Sequence, residues 1–180
     1  TDTWHHIVAT YDGTGGASAH AGIDIYIDGQ VDDTGGTTEG SYTAMENTAG
    51  TLNIGRGNTQ NQQLCNCTID ELAIYNHTLS TAEIQQLYHR TWYDHSPQLF
   101  LLHPGHAEEV DNSTDTTGNT TLLLHFDDGI GSTTANDSSV HGNDGNLNGN
   151  AAFTNDSISG SAIIFEGSDS FISSYVDIEF

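Results

Sequence analysis

Short stretches in which apolar and polar residues alternate recur along this chain, and they constrain its fold more than any other feature. Across positions 23–28, isoleucines alternate with Asp24, Tyr26 and Asp28, and Gly29 follows. A period of two places alternate side chains on opposite faces of a strand, and Asp-Gly is typical of a hairpin turn. The pattern therefore predicts a strand that buries its isoleucines, turns its aspartates outward and enters a hairpin.

Similar stretches elsewhere in the chain predict more strands. They lie at 4–11, 52–54, 72–75, 122–126 and 176–180. Low overall hydrophobicity also occurs in disordered chains, but here the apolar residues are patterned. We therefore expect a folded all-β protein.

One helix is predicted near the middle of the chain. Ser80 and Glu83 have the spacing of a capping box, in which each side chain bonds the other residue's backbone N–H. Leu79 and Ile84 stand where a hydrophobic staple places them. These signals predict a short helix over about 81–89.

The charge balance limits the partners of the chain. It contains 25 acidic residues against two cationic ones, Arg56 and Arg90, so its formal net charge is −23. Nucleic acids and anionic membrane surfaces both require clustered cations, so neither is an expected partner. The longest apolar run, 99–102, is far shorter than the ~20 residues of a membrane helix, so no membrane insertion is expected. Self-repulsion of this size predicts bound divalent cations, a saline environment, or both.

A linker is predicted between two strand-rich segments. Both prolines and a long polar run lie within residues 93–120, and such composition interrupts regular structure. The predicted organisation is therefore a segment 1–92, a linker 93–120 and a segment 121–180.

Both segments contain a series of short motifs. In the first they lie at 4–13, 25–30, 52–56, 69–76 and 79–84. In the second they lie at 122–127, 137–139, 142–145, 160–167 and 174–178. The first series resembles the C-terminal half of a laminin-G-like domain of the concanavalin A-like lectin/glucanase superfamily, and the second resembles the N-terminal half. The resemblance implies a jelly-roll β-sandwich with one short helix.

The two halves occur in reversed order, and the middle strands of the family pattern are missing between them. Three accounts fit this arrangement. The chain is a window from a tandem array, or a circular permutant in which 93–120 joins the original termini. Alternatively, each half completes the half-domain of a neighbouring subunit by adding strands to its exposed sheet edges.

The resemblance also implies calcium, because related domains often bind it through loop oxygens. By this resemblance the expected ligands are Asp70, Glu71, Asp137 and Asn143. Asp127 and Asp128 form a further candidate pair. The alternative is that all of these are solvated turn residues.

The cysteines and asparagines predict covalent modification. Cys65 and Cys67 share one face of a predicted strand, so they either bond to each other in a small ring or pair between subunits. A metal site at these two cysteines is not expected, because a second pair of ligands at familiar spacing is missing. Asn-x-Ser/Thr sequons predict N-glycosylation, and hence a secreted or cell-surface protein. The six sequons begin at Asn66, Asn76, Asn112, Asn119, Asn136 and Asn155.

Catalysis is not expected. Glucan-cleaving enzymes place closely spaced acids on one strand, and neither Asp24 with Asp28 nor Asp70 with Glu71 matches that pattern. The histidines are scattered without familiar zinc spacing.

The leading hypothesis is a non-enzymatic structural or adhesive subunit that binds calcium, carries glycans and forms a fibre with copies of itself by strand complementation. Positions 99–102 and Phe180 are candidate contacts between subunits. The alternative is a calcium-dependent, lectin-like carbohydrate-binding module of a larger extracellular protein, with Tyr42, Trp92 and Tyr93 as aromatic platforms.

Overall fold

The computed structural model describes residues 3–32, 51–57, 64–93 and 118–176. These residues form twelve strands, all paired antiparallel, one α-helix and one 3₁₀ segment, which confirms the all-β prediction and is consistent with a β-sandwich. The strands are β1 (Ile7–Tyr11), β2 (Ile23–Ile27), β3 (Gln30–Val31), β4 (Leu52–Ile54), β5 (Asn66–Ile69), β6 (Leu72–Tyr75), β7 (Thr120–Leu124), β8 (Thr134–Ala135), β9 (Gly145–Asn148), β10 (Ala152–Thr154), β11 (Ala162–Glu166) and β12 (Phe171–Ser174). The helix α1 is Thr81–Tyr93, and the 3₁₀ segment, which the sequence did not predict, is Gly16–Gly22.

The described residues divide into two compact units. The first contains 3–32 and 77–93, and the second contains 51–57, 64–76 and 118–176. Within the second unit, strands from the two sequence segments pair with each other: β4 with β12, β5 with β11, and β6 with β7. The chain thus supplies partners for its own strands, while the three accounts of the reversed order stay predictions.

The first unit is a three-stranded sheet in the order β1-β2-β3, together with the helix. Asp28 and Gly29 both have positive φ, 52° and 73°, which is the geometry of a type I′ hairpin turn. The predicted capping box is confirmed, since Ser80 N donates to Glu83 Oε2 over 2.7 Å and Glu83 N donates to Ser80 Oγ over 3.3 Å. The helix runs four residues beyond its predicted end.

The isoleucine face of this sheet lies opposite to expectation. Ile7 pairs with Ile27, and Ala9 with Ile25, so these side chains share one face. On that face Ile7 is 69% and Ile25 is 43% exposed, whereas Tyr26 on the other face is 5% exposed. The prediction that the isoleucines are buried is wrong because the helix lies on the tyrosine face, where the Tyr26 hydroxyl and Thr81 Oγ1 are 3.2 Å apart.

The second unit has an apolar core drawn from three sheets, in the orders β4-β12-β9-β8, β10-β11-β5 and β6-β7. Buried side chains from every sheet belong to one cluster, which gives this unit the character of a sandwich. Its buried members are Ile54, Leu122, Leu124, Phe126, Ala135, Phe153, Ile163, Phe165 and Ile172.

Candidate functional site

The four-stranded sheet of the second unit buries one face, and the side chains on its other face are half-buried or exposed. Along β12, Ile172 and Ser174 point inward and are buried, so Ser173 between them points outward. The register aligns Ser173 with Asn53 on one side and with Asn146 on the other, and Asn146 with Thr134. These four side chains, here called the amide row, cross all four strands on the outer face.

Aromatic rings stand at the two ends of β12 beside the amide row. Phe171 begins the strand and carries the guanidinium of Arg56 3.4 Å above its ring centroid. Tyr175 follows the strand and is 74% exposed. Asn148 donates to Ser173 Oγ over 3.0 Å, which fixes the central hydroxyl. We call the whole surface the outer polar face: it consists of Asn53, Arg56, Thr134, Asn146, Asn148, Phe171, Ser173 and Tyr175.

The outer polar face has the chemistry that sugar recognition requires. Carboxamides and hydroxyls both donate and accept hydrogen bonds, as sugar hydroxyls do. An exposed tyrosine ring supplies a flat apolar surface with a polar end. Sequence reasoning missed this surface. Its signal is the polar residue of each alternating strand, such as Asn53 between Leu52 and Ile54.

Asp137, a predicted calcium ligand, instead organises the loop between β8 and β9. Its Oδ1 accepts from the backbone N–H groups of Leu123 and Ser139, over 2.8 and 2.9 Å. Its Oδ2 accepts from Asn143 N and Ser139 Oγ, both over 2.7 Å. Burial raises the pKa of Asp137, but these hydrogen bonds outweigh burial and hold the pKa below its ordinary value. A cation would have to displace donors that already occupy both oxygens.

The other predicted ligands near this loop are also hydrogen-bonded to the protein. Asp128 bonds both the backbone N–H and the carboxamide of Asn136. Asn143 donates its carboxamide to Thr121 O over 2.9 Å. Asp144, which the sequence did not single out, accepts from Asp137 N over 2.9 Å. The carboxylates and amides of this region therefore stabilise loops through hydrogen bonds within the protein.

Asp70, Glu71 and Asp127 meet His125 at a corner between two sheets. Leu72 pairs with Leu124 at the end of the β6–β7 ladder, and the same register brings Glu71 beside His125. Glu71 Oε2 and His125 Nδ1 are 2.7 Å apart, while His125 Nε2 is buried without a protein partner. We call these four residues the acid–imidazole corner. The structure thus assembles three predicted ligands around a histidine that the sequence did not single out.

The corner holds the loop between β10 and β11. Asp70 Oδ2 accepts from Ile158 N and Ser159 N, over 2.8 and 3.0 Å. Asp127 Oδ1 accepts from Ser161 N over 2.7 Å. Burial raises the pKa of Asp70 to about 6, with a smaller contribution from the Glu71 carboxylate. The hydrogen bond that His125 donates to the Glu71 carboxylate raises the pKa of His125.

The predicted cysteine pair is bonded within the chain. Cys65 and Cys67 form a disulfide with their Cα atoms 5.5 Å apart. Both pack against the core of the second unit. Within the described ranges, no group of three or more histidine, cysteine, aspartate or glutamate residues is placed to hold a metal ion. Calcium binding therefore stays a prediction.

The predicted glycosylation sites that the structure describes are all exposed: Asn66, Asn76, Asn119, Asn136 and Asn155. The sixth, Asn112, lies outside the described residues, as do Tyr42, positions 99–102 and Phe180. The side chains of Trp92 and Tyr93 are likewise not described.

The antiparallel sheets and the apolar core of the second unit are consistent with a β-sandwich. Residues 1–85 match a laminin-G family model described as the concanavalin A-like lectin/glucanases superfamily. No curated protein and no solved structure matches the chain. Laminin-G-like domains are typically extracellular and are usually binding modules without enzymatic activity. Among the helices of the described residues, none has the length and hydrophobicity to cross a bilayer.

Proposed function

We propose that this chain is a non-enzymatic, extracellular module that binds a saccharide on its outer polar face. The observation that carries the proposal is the amide row, which crosses four strands and lies beside an exposed tyrosine. The row is presented by a sheet whose inner face is anchored in the core, so its side chains are held in place before a ligand arrives.

A glycan array with purified protein tests this function. Specific binding should occur and should fall about fivefold or more in Asn146→Ala and Tyr175→Ala, because a lost hydrogen bond or stacking contact costs on the order of 1 kcal/mol or more. Val140→Ala is the matched control, since Val140 is also exposed but lies off this face. An array without specific binding, or equal binding by all variants, would rule out this site.

Calcium and glycans extend the proposal. We propose that a divalent cation offsets the charge of −23 and that the exposed sequons carry glycans in an oxidising, extracellular compartment. Isothermal titration with calcium, and saccharide binding with and without chelator, test the first part. Intact mass before and after enzymatic deglycosylation of the protein from its native source tests the second.

A second candidate function is assembly with copies of the chain into a fibre or array. The exposed isoleucines of the first unit, such as Ile7 and Ile25, support this assembly, because exposed apolar patches often mark interaction surfaces. The strand complementation first expected would need another strand than β12, which already pairs with β4 and β9 within the chain. Electron micrographs test the assembly: regular polymers lost in Ile7→Glu support it, and isolated particles at high salt oppose it.

A further inference from the structure

Arg56 forms no ion pair with the acids that the structure describes. The chain has 25 acidic residues, and Arg56 is the one arginine whose side chain the structure describes. No carboxylate in the described ranges lies within ion-pair distance of its guanidinium. Among so many acids an arginine ordinarily finds a carboxylate, so its isolation calls for a reason other than pairing.

Two uncharged neighbours hold the guanidinium on the outer polar face. Its Cζ atom lies over the ring of Phe171, 3.4 Å from the ring centroid. Its Nε and Nη2 atoms both donate to Asn53 Oδ1, over 3.3 and 3.1 Å. The Phe171 ring on one face and the Asn53 amide on one edge hold the guanidinium in place. The arginine therefore loses its side-chain entropy on folding and not on ligand binding.

The opposite edge of the guanidinium has no hydrogen-bond partner among the described residues. The edge formed by Nη1 and Nη2 makes no hydrogen bond to the described residues. Two parallel N–H groups on such an edge match the two oxygens of a carboxylate, in a charge-assisted bidentate pair. Asn53, which holds Arg56, also belongs to the amide row, so a carboxylate bound here would lie beside the hydroxyl-binding groups.

We propose that Arg56 binds the carboxylate of an acidic saccharide, a hexuronic acid unit, on the outer polar face. This inference rests on the proposed saccharide binding and names its ligand class. The amide row takes the ring hydroxyls, and the guanidinium takes the acid. The net charge of −23 repels any anionic ligand at long range. Binding is therefore expected at high salt, because the Debye length falls to about 3 Å at about 1 M salt and the repulsion is screened.

Calorimetry with a matched pair of ligands tests the proposal: a hexuronic acid tetrasaccharide and its neutral, carboxyl-reduced counterpart, both at about 1 M KCl. The protein should bind the acidic ligand about tenfold more tightly than the neutral one. Arg56→Gln should abolish this preference while leaving affinity for the neutral ligand within about threefold. Arg56→Lys, which keeps the charge but loses the fork, should retain little of it.

Arg90→Gln is the charge-matched control and should keep the preference. Equal affinity for both ligands would overturn the inference but leave saccharide binding intact. A preference that survives in Arg56→Gln, or is lost equally in Arg90→Gln, would also overturn it, because the discrimination would then not depend on this arginine. Binding of neither ligand would refute both this inference and the proposed function.

Discussion

Asp137 and Asp70 each anchor a loop by accepting backbone hydrogen bonds, but the pKa of the first carboxyl is lowered and that of the second is raised. Each aspartate accepts backbone N–H groups from distant parts of the chain, yet the pKa of Asp137 lies below its ordinary value and that of Asp70 is raised to about 6. Asp137 accepts four hydrogen bonds. Asp70 accepts three, is buried, and lies beside the Glu71 carboxylate.

The difference shows how a chain almost without cations uses its acids. Backbone N–H groups replace lysine and arginine as partners of the carboxylates, and enough of them stabilise the ionised form. Where burial and a second carboxylate outweigh the donors, the proton is retained to higher pH. The two sites should therefore respond differently to substitution and to acid.

The largest expected effect is at Asp137. Asp137→Ala should lower the free energy of unfolding by about 3 kcal/mol, because four donors lose their acceptor in a partly buried loop. Urea denaturation near neutral pH measures it. Asp144→Ala is the control: this exposed residue accepts one backbone N–H, and its loss should cost about 0.5–1 kcal/mol. Equal losses would show that the number of donors does not set the stability of the loop.

A smaller loss is expected where Asp127 holds the β10–β11 loop. Gly160 has a φ of 57°, and a Cβ there would overlap the Asp127 carboxylate that binds Ser161 N. Gly160→Ala should cost about 2 kcal/mol, from backbone strain together with the displaced hydrogen bond. Gly142→Ala is the matched control, since φ is 66° and nothing lies near its Cβ position, so about 1 kcal/mol of backbone strain is expected. Identical thermal stability of the two variants would argue against a role for Asp127 as a loop anchor.

The third effect is a dependence of stability on pH. A raised carboxyl pKa means that the folded chain holds the Asp70 proton more tightly than the unfolded chain, so Asp70 favours folding increasingly as pH falls from about 7 to about 4. The His125 proton acts in the same direction, since its pKa is raised in the folded state: its stabilisation is present below about pH 6.5 and is lost at higher pH. His6 acts in the opposite direction at about pH 6, because burial lowers its pKa in the folded state. We expect the free energy of unfolding to remain higher at about pH 5 than at about pH 8, by up to about 1 kcal/mol after allowing for solvent screening.

Denaturation series in buffered high salt measure this dependence. Asp70→Asn should remove most of it, whereas the lowered pKa of Asp137 places that group's titration below this range. An unchanged pH profile in Asp70→Asn would mean that other groups cause it.

The smallest expected effect concerns His125. Its pKa is raised chiefly by the hydrogen bond to Glu71, against the effect of burial. Glu71→Gln should therefore lower the pKa of His125, with a change in stability below about 1 kcal/mol for this pair. An NMR titration of the imidazole resonances measures the pKa directly. If the His125 pKa does not fall, the 2.7 Å contact does not control its titration.

Local signals predicted local structure well. The Ser80–Glu83 spacing located the start of the helix, and Asp28-Gly29 located a hairpin turn, because capping boxes and type I′ turns depend on neighbouring residues. Alternation located β1, β2, β4, β6 and β7 for the same reason, whereas the other seven described strands lie outside the alternating stretches.

Burial and site assembly were harder to predict. Alternation separates two faces of β2 but does not say which face another element will cover, and the helix covers Tyr26. Glu71 and His125 are distant in sequence and meet through the β6–β7 register. Likewise Asn53, Ser173 and Asn146 come from three separate stretches, and only strand order aligns them.

The sequence by itself determined the strand-rich class, the superfamily resemblance, the helix start and the acidic character, since these follow from composition and from residues close together in the chain. The tertiary structure decided which face is core, how each carboxylate titrates and where Arg56 and the amide row meet. Those properties depend on pairing between distant strands and on burial, and neither is encoded within any single stretch of residues.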